Sequence, residues 1–364
     1  MIRRLAATLL LASASASFRD ALIAERERFA IAGYAPDYRL DALDLNKVGA
    51  NATDIILFSI MPTAESTIDP GGVTTMHHMR AARAKKINPR LRVLISVGGA
   101  GRSKYWPKSV ETAAGRAKLA KVLLKYCKRG KLDGVDIDWE APLDAFKVHH
   151  LVEFLKLLRE KFDELDPPLM LTMAMHPQHA EELDATYEHV DRIHLMSYDL
   201  PYKEGHTAVS AASQAVQGTL RAGCPREKLA MGVAFYGRRL DDPGVAAPFA
   251  ELHRAQQAAL AVAEGSQFRD DRVDGYAFDS PSTVQLKVEL AAALGLAGVM
   301  VWELGQDVVT PERKGGVLLA ELAAAAAVSS EAWSPGHKQD TRRVSAAHNA
   351  VSMFYRTAAE HDEL

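Results

Sequence analysis

Apolar residues along the chain follow two patterns in turn: short, continuously apolar runs, and longer stretches in which they return every three or four positions. Runs such as Asp54-Ile55-Ile56-Leu57-Phe58-Ser59-Ile60 are apolar on both faces, which marks strands covered on both sides as in a parallel sheet. Eight strands are expected, over residues 29–34, 54–60, 91–97, 134–138, 169–175, 191–196, 229–234 and 298–301. Helices are expected over 73–87, 112–128, 145–162 and 315–328, with a charged helical lead-in over 21–28. One more helix, over 341–358, would align Val344, Ala347, Val351 and either Phe354 or Tyr355 on one face. Strands alternating eight times with helical or loop sequence predict an α/β fold, a single-domain (β/α)8 TIM barrel, better than an open sheet.

Barrels of this kind gather their chemistry at the C-terminal ends of the strands. Those ends hold Tyr34, a glycine cluster after Val97, Asp138 and Glu140, Tyr198 and Asp199, Tyr236 and Arg238, and Trp302 and Glu303. Each has a plainer reading: the tyrosines as packing aromatics, Trp302 as core, Asp199 as a turn residue before Leu200-Pro201. The glycine cluster, Gly98-Gly99-Ala100-Gly101, lacks the G-x-G-x-x-G spacing of a dinucleotide site. Adjacent His77 and His78 cannot face one site from a helix and are expected at the surface.

The stretch over 131–142, K-L-D-G-V-D-I-D-W-E-A-P, is the most unusual in the chain. Asp136, Asp138 and Glu140 fall on one face of an extended strand, about 6.6 Å apart per step, with Val135, Ile137 and Trp139 on the other. A merely solvated face would mix its signs, because stacked like charges repel with nothing in return. Crowded, partly buried carboxylates instead push one another's pKa values apart, so that one stays protonated while its neighbours ionise. Such a site can carry out glycoside hydrolysis. The same acids could hold Mg2+ or Mn2+, but metal sites usually draw acids from several strands, and no metal or other cofactor is assigned.

Composition narrows the classes. The 364 residues, 48% hydrophobic, suffice for one large barrel, and a formal charge of −2 gives no electrostatic case for nucleic acid. No apolar run reaches the roughly 18 residues of a membrane span. The two cysteines, Cys127 and Cys224, have no metal-ligand spacing and are expected free or buried, with a single disulfide as the alternative in an oxidising compartment. Residues 1–16 combine Arg3 and Arg4, an apolar stretch and small residues such as Ala14-Ser15-Ala16, as in a signal peptide; an organellar transit peptide has similar features. The final His361-Asp362-Glu363-Leu364 matches the address read by the endoplasmic reticulum retrieval receptor, which favours the signal peptide and a lumenal location.

The acidic stretch matches D-x-x-D-x-D-x-E at Asp133, Asp136, Asp138 and Glu140, and in this the chain resembles glycoside hydrolase family 18, the chitinase family. Further blocks fall in the family's order: Ser96-Val97-Gly98-Gly99, Met196-Ser197-Tyr198-Asp199, Phe235-Tyr236-Gly237-Arg238, Phe278-Asp279-Ser280-Pro281 and Gly298-Val299-Met300-Val301-Trp302-Glu303. The resemblance covers residues 29 to about 307 and implies a catalytic barrel, assigned to 17–328 between the leader over 1–16 and an extension over 329–364. Many relatives insert an α+β domain between the seventh and eighth strands. Here 236–276 leaves little room for a domain of typical size, which implies a shallower cleft.

The resemblance also implies a retaining hydrolase of β-1,4-linked N-acetylglucosamine, in chitin or its oligosaccharides. In substrate-assisted members the sugar's own N-acetyl oxygen attacks the anomeric carbon. Glu140 would be the acid and then the base, Asp138 would stabilise the acetamido group, Asp136 would share or relay a proton, and Tyr198 would bind the acetamido carbonyl. Asp199 and Arg238 would hold sugar hydroxyls, Trp302 would floor the subsite, and Tyr34 and Tyr236 would line it. Two alternatives stay open: an endo-β-N-acetylglucosaminidase acting on N-glycan cores, and a lectin that binds without cleaving.

Overall fold

Eight parallel strands close into a barrel: β1 (Ala30–Pro36), β2 (Asp54–Pro62), β3 (Arg92–Gly98), β4 (Gly134–Asp138), β5 (Met170–Met175), β6 (Arg192–Leu195), β7 (Leu229–Ala234) and β8 (Gly298–Trp302). Neighbours in sequence pair in order around the ring, and β8 returns to β1 with Ala30 opposite Gly298. The computed structural model describes residues 29–140, 144–200, 205–262, 271–313 and 315–332. The expected leader, the lead-in helix, the helix over 341–358 and the terminal tetrapeptide lie outside them.

Alternation along the strands divides the core in two. Ala32, Tyr34, Ile56, Phe58, Leu94, Ala230 and Met300 cluster inside the barrel. Ile31, Ile55, Val93, Ile95, Val135, Ile137, Leu171 and Ile193 belong to the larger cluster that includes the surrounding helices. The continuous apolar runs seen in the sequence are therefore two interleaved faces, both buried.

The barrel's N-terminal end is closed by charge. Asp54, 1% exposed, lies 3.0 Å from Arg192 and 3.0 Å from Arg92 Nη2, and accepts the Thr53 hydroxyl at 2.6 Å. Burial pushes the Asp54 carboxyl up, but the charges of Arg192 and Arg92 outweigh it and hold the group well below the usual carboxylate range.

The long helices are α1 (Thr75–Ile87), α2 (Ala113–Gly130), α3 (Ala145–Asp163), α4 (Val209–Arg221), α5 (Phe249–Val262), α6 (Pro281–Ala293) and α7 (Val317–Ala332). At the start of α1, Thr74 and His77 form a reciprocal cap, with the Thr74 N–H donating to His77 Nδ1 at 3.1 Å. This corrects the surface expectation for His77, which is buried with its other ring nitrogen 3.0 Å from Asp41. The helical spacing rule excludes a shared site for adjacent histidines but says nothing about which of them faces inward.

The strand–helix alternation has exceptions. Only one-turn helices, Asp37–Leu40 and Leu45–Val48, follow β1, and only the 3-10 turns Pro177–His179 and Asp184–Thr186 follow β5. Between β7 and α6, the segment over 236–278, short for a domain of typical size, folds into a small antiparallel sheet. Its strands, in spatial order, are Ala246–Pro248, Tyr236–Arg239, Tyr276–Phe278 and Arg272–Val273, and α5 lies within the same segment. Strands of two to four residues are too short for a two-residue period to register in the sequence. Cys127 and Cys224 are both free and buried.

Candidate active site

Strand β4 carries Asp136 and Asp138 into the barrel lumen, where they are 0% and 3% exposed. Gly134 begins the strand because a Cβ there would sit 2.2 Å from the Met170 carbonyl oxygen. Four side chains converge on Asp136: the hydroxyls of Tyr34 at 2.9 Å, Ser96 at 3.0 Å and Thr172 at 2.6 Å, and His194 Nδ1 at 3.2 Å. Burial pushes Asp136 up, but hydrogen bonding and charge from His194, with the Thr172 and Tyr34 hydroxyls, hold it below the usual range. It is an ionised carboxylate at the bottom of the site.

Asp138 is shifted the other way. Burial raises it well above the usual carboxylate range, and the nearby Glu140 and Asp136 charges add to that. Its Oδ1 is buried with no hydrogen-bond partner among the described residues. Glu140, just beyond the end of β4, keeps part of its side chain in solvent, but partial desolvation of its carboxyl raises it too, partly offset by the Ala100 N–H. Two carboxyls biased towards the protonated form thus stand over one held ionised.

The loop after β3 holds this arrangement in place. Gly98, opposite Asp138 in the ladder, has φ +102°, and a Cβ there would lie 2.0 Å from the Asp138 carbonyl oxygen. The Gly99 N–H donates to that oxygen at 2.7 Å. Ser103 Oγ lies 3.0 Å from Gly99 O and 3.2 Å from Asp138 O, and accepts the Glu140 N–H at 3.0 Å. The glycine cluster is a brace for the acidic strand.

Above the acids opens a cleft of about 870 Å³. Of the nine residues singled out from the sequence, all but Asp136 line it. The Trp302 ring packs 5.5 Å from Tyr34 and 4.9 Å from Phe58. Tyr34 is 1% exposed with its hydroxyl committed to Asp136 and His194, so it supports the acid layer as well as the wall. Burial holds the hydroxyls of Tyr34, Tyr198 and Tyr236 protonated, as donors. Asp199 and Arg238 form a two-point ion pair, Arg238 Nη2 donating to Asp199 Oδ2 at 2.5 Å, and the guanidinium lies 5.4 Å from the Tyr236 ring centre. Glu303 turns away from the cleft to cap the turn Leu304–Gln306.

Several contributors escaped the sequence reading. His194 and Thr172 lie at inward positions of two expected strands, and the two-residue period could have found them. His206, 2.9 Å from Asp199, is brought in from a loop. Its neighbour Thr207 joins a buried cluster in which Lys287 lies 2.7 Å from Asp279 and 2.6 Å from Thr207. His176, Gln178 and His179, in the irregular connection after β5, add a polar wall. Among the described residues, no group of three or more His, Cys, Asp or Glu is arranged to hold a metal ion.

The model of the family described as glycosyl hydrolases family 18 matches residues 30–307. Chitinase 1 of Aphanocladium album is 26% identical over 60% of this chain and 62% of its own length. Mouse chitotriosidase-1 is 27% identical over 66% of this chain and 64% of its own. The chain thus spans less than two thirds of these relatives. Among solved structures, the Ostrinia furnacalis group IV chitinase in complex with allosamidin shares the fold, with a TM-score of 0.71, 24% identity and coverage of 83% of this chain and 99% of that one.

Proposed function

The chain belongs to glycosyl hydrolases family 18, and on that premise we propose that it hydrolyses β-1,4-linked N-acetylglucosamine with retention at the anomeric carbon. The observation that carries this reading is the split among the three acids: Asp136 is held ionised while Asp138 and Glu140 are biased towards their protonated forms. Separation of neighbouring titrations is how a cluster of carboxyls comes to offer an acid at neutral pH.

In the proposed reaction, Glu140 gives its proton to the glycosidic oxygen from the open side of the cleft. The substrate's acetamido oxygen closes on the anomeric carbon, and Glu140, now ionised, takes a proton from the water that opens the intermediate. Asp138 faces the acetamido N–H, and its own ionisation would balance the positive charge that develops there. Asp136, charged beneath it and held by the hydroxyls and the imidazole around it, would take up the proton that Asp138 gives up. Tyr198 offers its hydroxyl to the acetamido carbonyl, and Trp302 packs under the sugar ring. Asp199 and Arg238, locked together, present their remaining acceptor and donor positions to sugar hydroxyls.

The test is product analysis of wild type and Glu140→Gln with N-acetylglucosamine oligomers and, separately, a high-mannose glycopeptide. Oligomer cleavage by the wild type alone is expected, with binding preserved in the variant and turnover lower by at least about a thousandfold, a loss in the upper range for general acid–base catalysis. Cleavage of only the glycopeptide would reassign the substrate to N-glycan cores. Binding without cleavage would make the protein a lectin.

A further inference from the structure

Helices α1 and α2 together carry ten Lys and Arg and no Asp or Glu, in a chain whose formal charge is −2. The next helix, α3, mixes four basic with three acidic residues. The two basic helices are neighbours: the His78 and Tyr126 rings meet at 5.2 Å, and a Cβ at Gly130 would lie 3.3 Å from His78 Nδ1. Their charges therefore add up on one face.

Spacing arranges that face. Lys118, Lys121, Lys125 and Lys128, all exposed, recur every three or four residues and form a stripe roughly 15 Å long on α2. On α1, Met76 and Met79 are followed at the same period by Arg83 and Lys86, and Ile87 lies beside them. The apolar members are 59%, 62% and 60% exposed. Some cations are engaged: Lys85 pairs with Asp133 at 2.5 Å, Arg80 binds the Leu40 and Leu43 carbonyls, and Lys118 binds the Glu65 carbonyl at 2.6 Å. Arg83, Lys86, Lys121, Lys125, Lys128 and Arg129 have no carboxylate partner among the described residues.

Like charges three and four apart weaken a helix, and solvated faces normally intersperse the two signs. A single-sign stripe beside exposed Met and Ile has the chemistry of a helix surface that rests on lipid headgroups. The cations match phosphate and carboxylate groups, and the apolar tips reach the acyl boundary. A soluble polyanion would use the cations but leave the Met and Ile side chains without a role. No helix among the described residues is long and apolar enough to cross a membrane, so the contact would be peripheral.

We propose that the face formed by α1 and α2 is a docking surface for an anionic lipid bilayer. It lies on the barrel's flank, whereas the cleft opens at the strands' C-terminal ends, so docking leaves the cleft mouth uncovered. The inference is independent of the reaction carried out there.

The experiment is co-sedimentation of the full chain with vesicles of phosphatidylcholine, alone or with about 30% phosphatidylserine, over a range of salt. Binding at least tenfold stronger to the anionic vesicles is expected, weakening as salt rises. Each cation near such a surface is worth about fivefold in partitioning. The combined Lys118→Glu, Lys121→Glu, Lys125→Glu and Lys128→Glu variant should therefore lose a hundredfold or more. Arg83→Glu with Lys86→Glu is the second variant, should the first fail to fold. Met76→Ser with Met79→Ser should weaken binding severalfold without changing its salt dependence. Equal binding to neutral vesicles, or wild-type binding by the folded charge-reversal variant, overturns the proposal. So does binding to heparin with none to vesicles, which would assign the face to a soluble polyanion.

Discussion

At the scale of single residues, Asp136 and Asp138 have opposite relations to stability. Asp136 titrates below its unfolded range, so it contributes stability that is present above about pH 4 and is lost as pH falls through its folded pKa. Asp138 titrates above that range, so its contribution is complete below about pH 4 and is lost as pH rises towards its folded pKa. Replacing each with Asn should separate them. Asp138→Asn should raise the neutral-pH melting temperature, by about 2 °C for each kcal/mol of ionisation cost removed, and flatten its decline with pH, while abolishing turnover. Asp136→Asn should lower it, because the carboxylate that gathers three hydroxyls and His194 is gone. Thermal unfolding of both variants between pH 5 and 8 measures the two signs.

At the scale of elements, the acidic strand depends on the loop beside it. Ser103 joins Gly99 and Asp138 of two adjacent strand ends to the Glu140 backbone. Ser103→Ala removes hydrogen bonds worth about 1 kcal/mol in stability, and its larger effect should fall on kcat, because the Glu140 backbone loses its tether while the binding wall is untouched. Steady-state kinetics check this: an unchanged kcat with a raised KM would contradict the bracing role. The connection after β5 matters in a different way. It contributes His176, Gln178 and His179 to the cleft without forming an α-helix, and irregular backbone of this kind leaves no period in the sequence from which its direction could be inferred.

At the scale of the whole molecule, the barrel separates its tasks along its axis. The cleft opens at the C-terminal end, and the N-terminal end is closed by Asp54 with Arg92 and Arg192. Asp54→Ala would leave Arg192, 2% exposed, buried beside a second cation without the carboxylate that pairs with both, and with only the weaker influence of Asp191 to offset its charge. Breaking a buried pair in this way costs about 3–5 kcal/mol. Denaturant unfolding should show that loss at neutral pH, whereas kcat of the protein that remains folded should stay near the wild-type value. Because the native pKa of Asp54 is depressed, the gap between variant and wild type should shrink as pH falls below about 4.

The sequence alone determined the eight strands to within about two residues, and with them the closed parallel barrel, because two-sided burial writes an apolar run that no loop imitates. It also singled out the acidic strand, since a two-residue period of like charges is local and visible. The tertiary structure decided what those acids are. Asp136 is held ionised by hydroxyls and an imidazole brought from other strands, Asp138 is raised chiefly because the closed barrel buries it beside Glu140 and Asp136, and Asp199 is paired through an arginine 39 residues away. Such pairings carry no local period. They follow from ring closure, which sets distant strand ends within hydrogen-bonding distance and removes the water that would otherwise screen them.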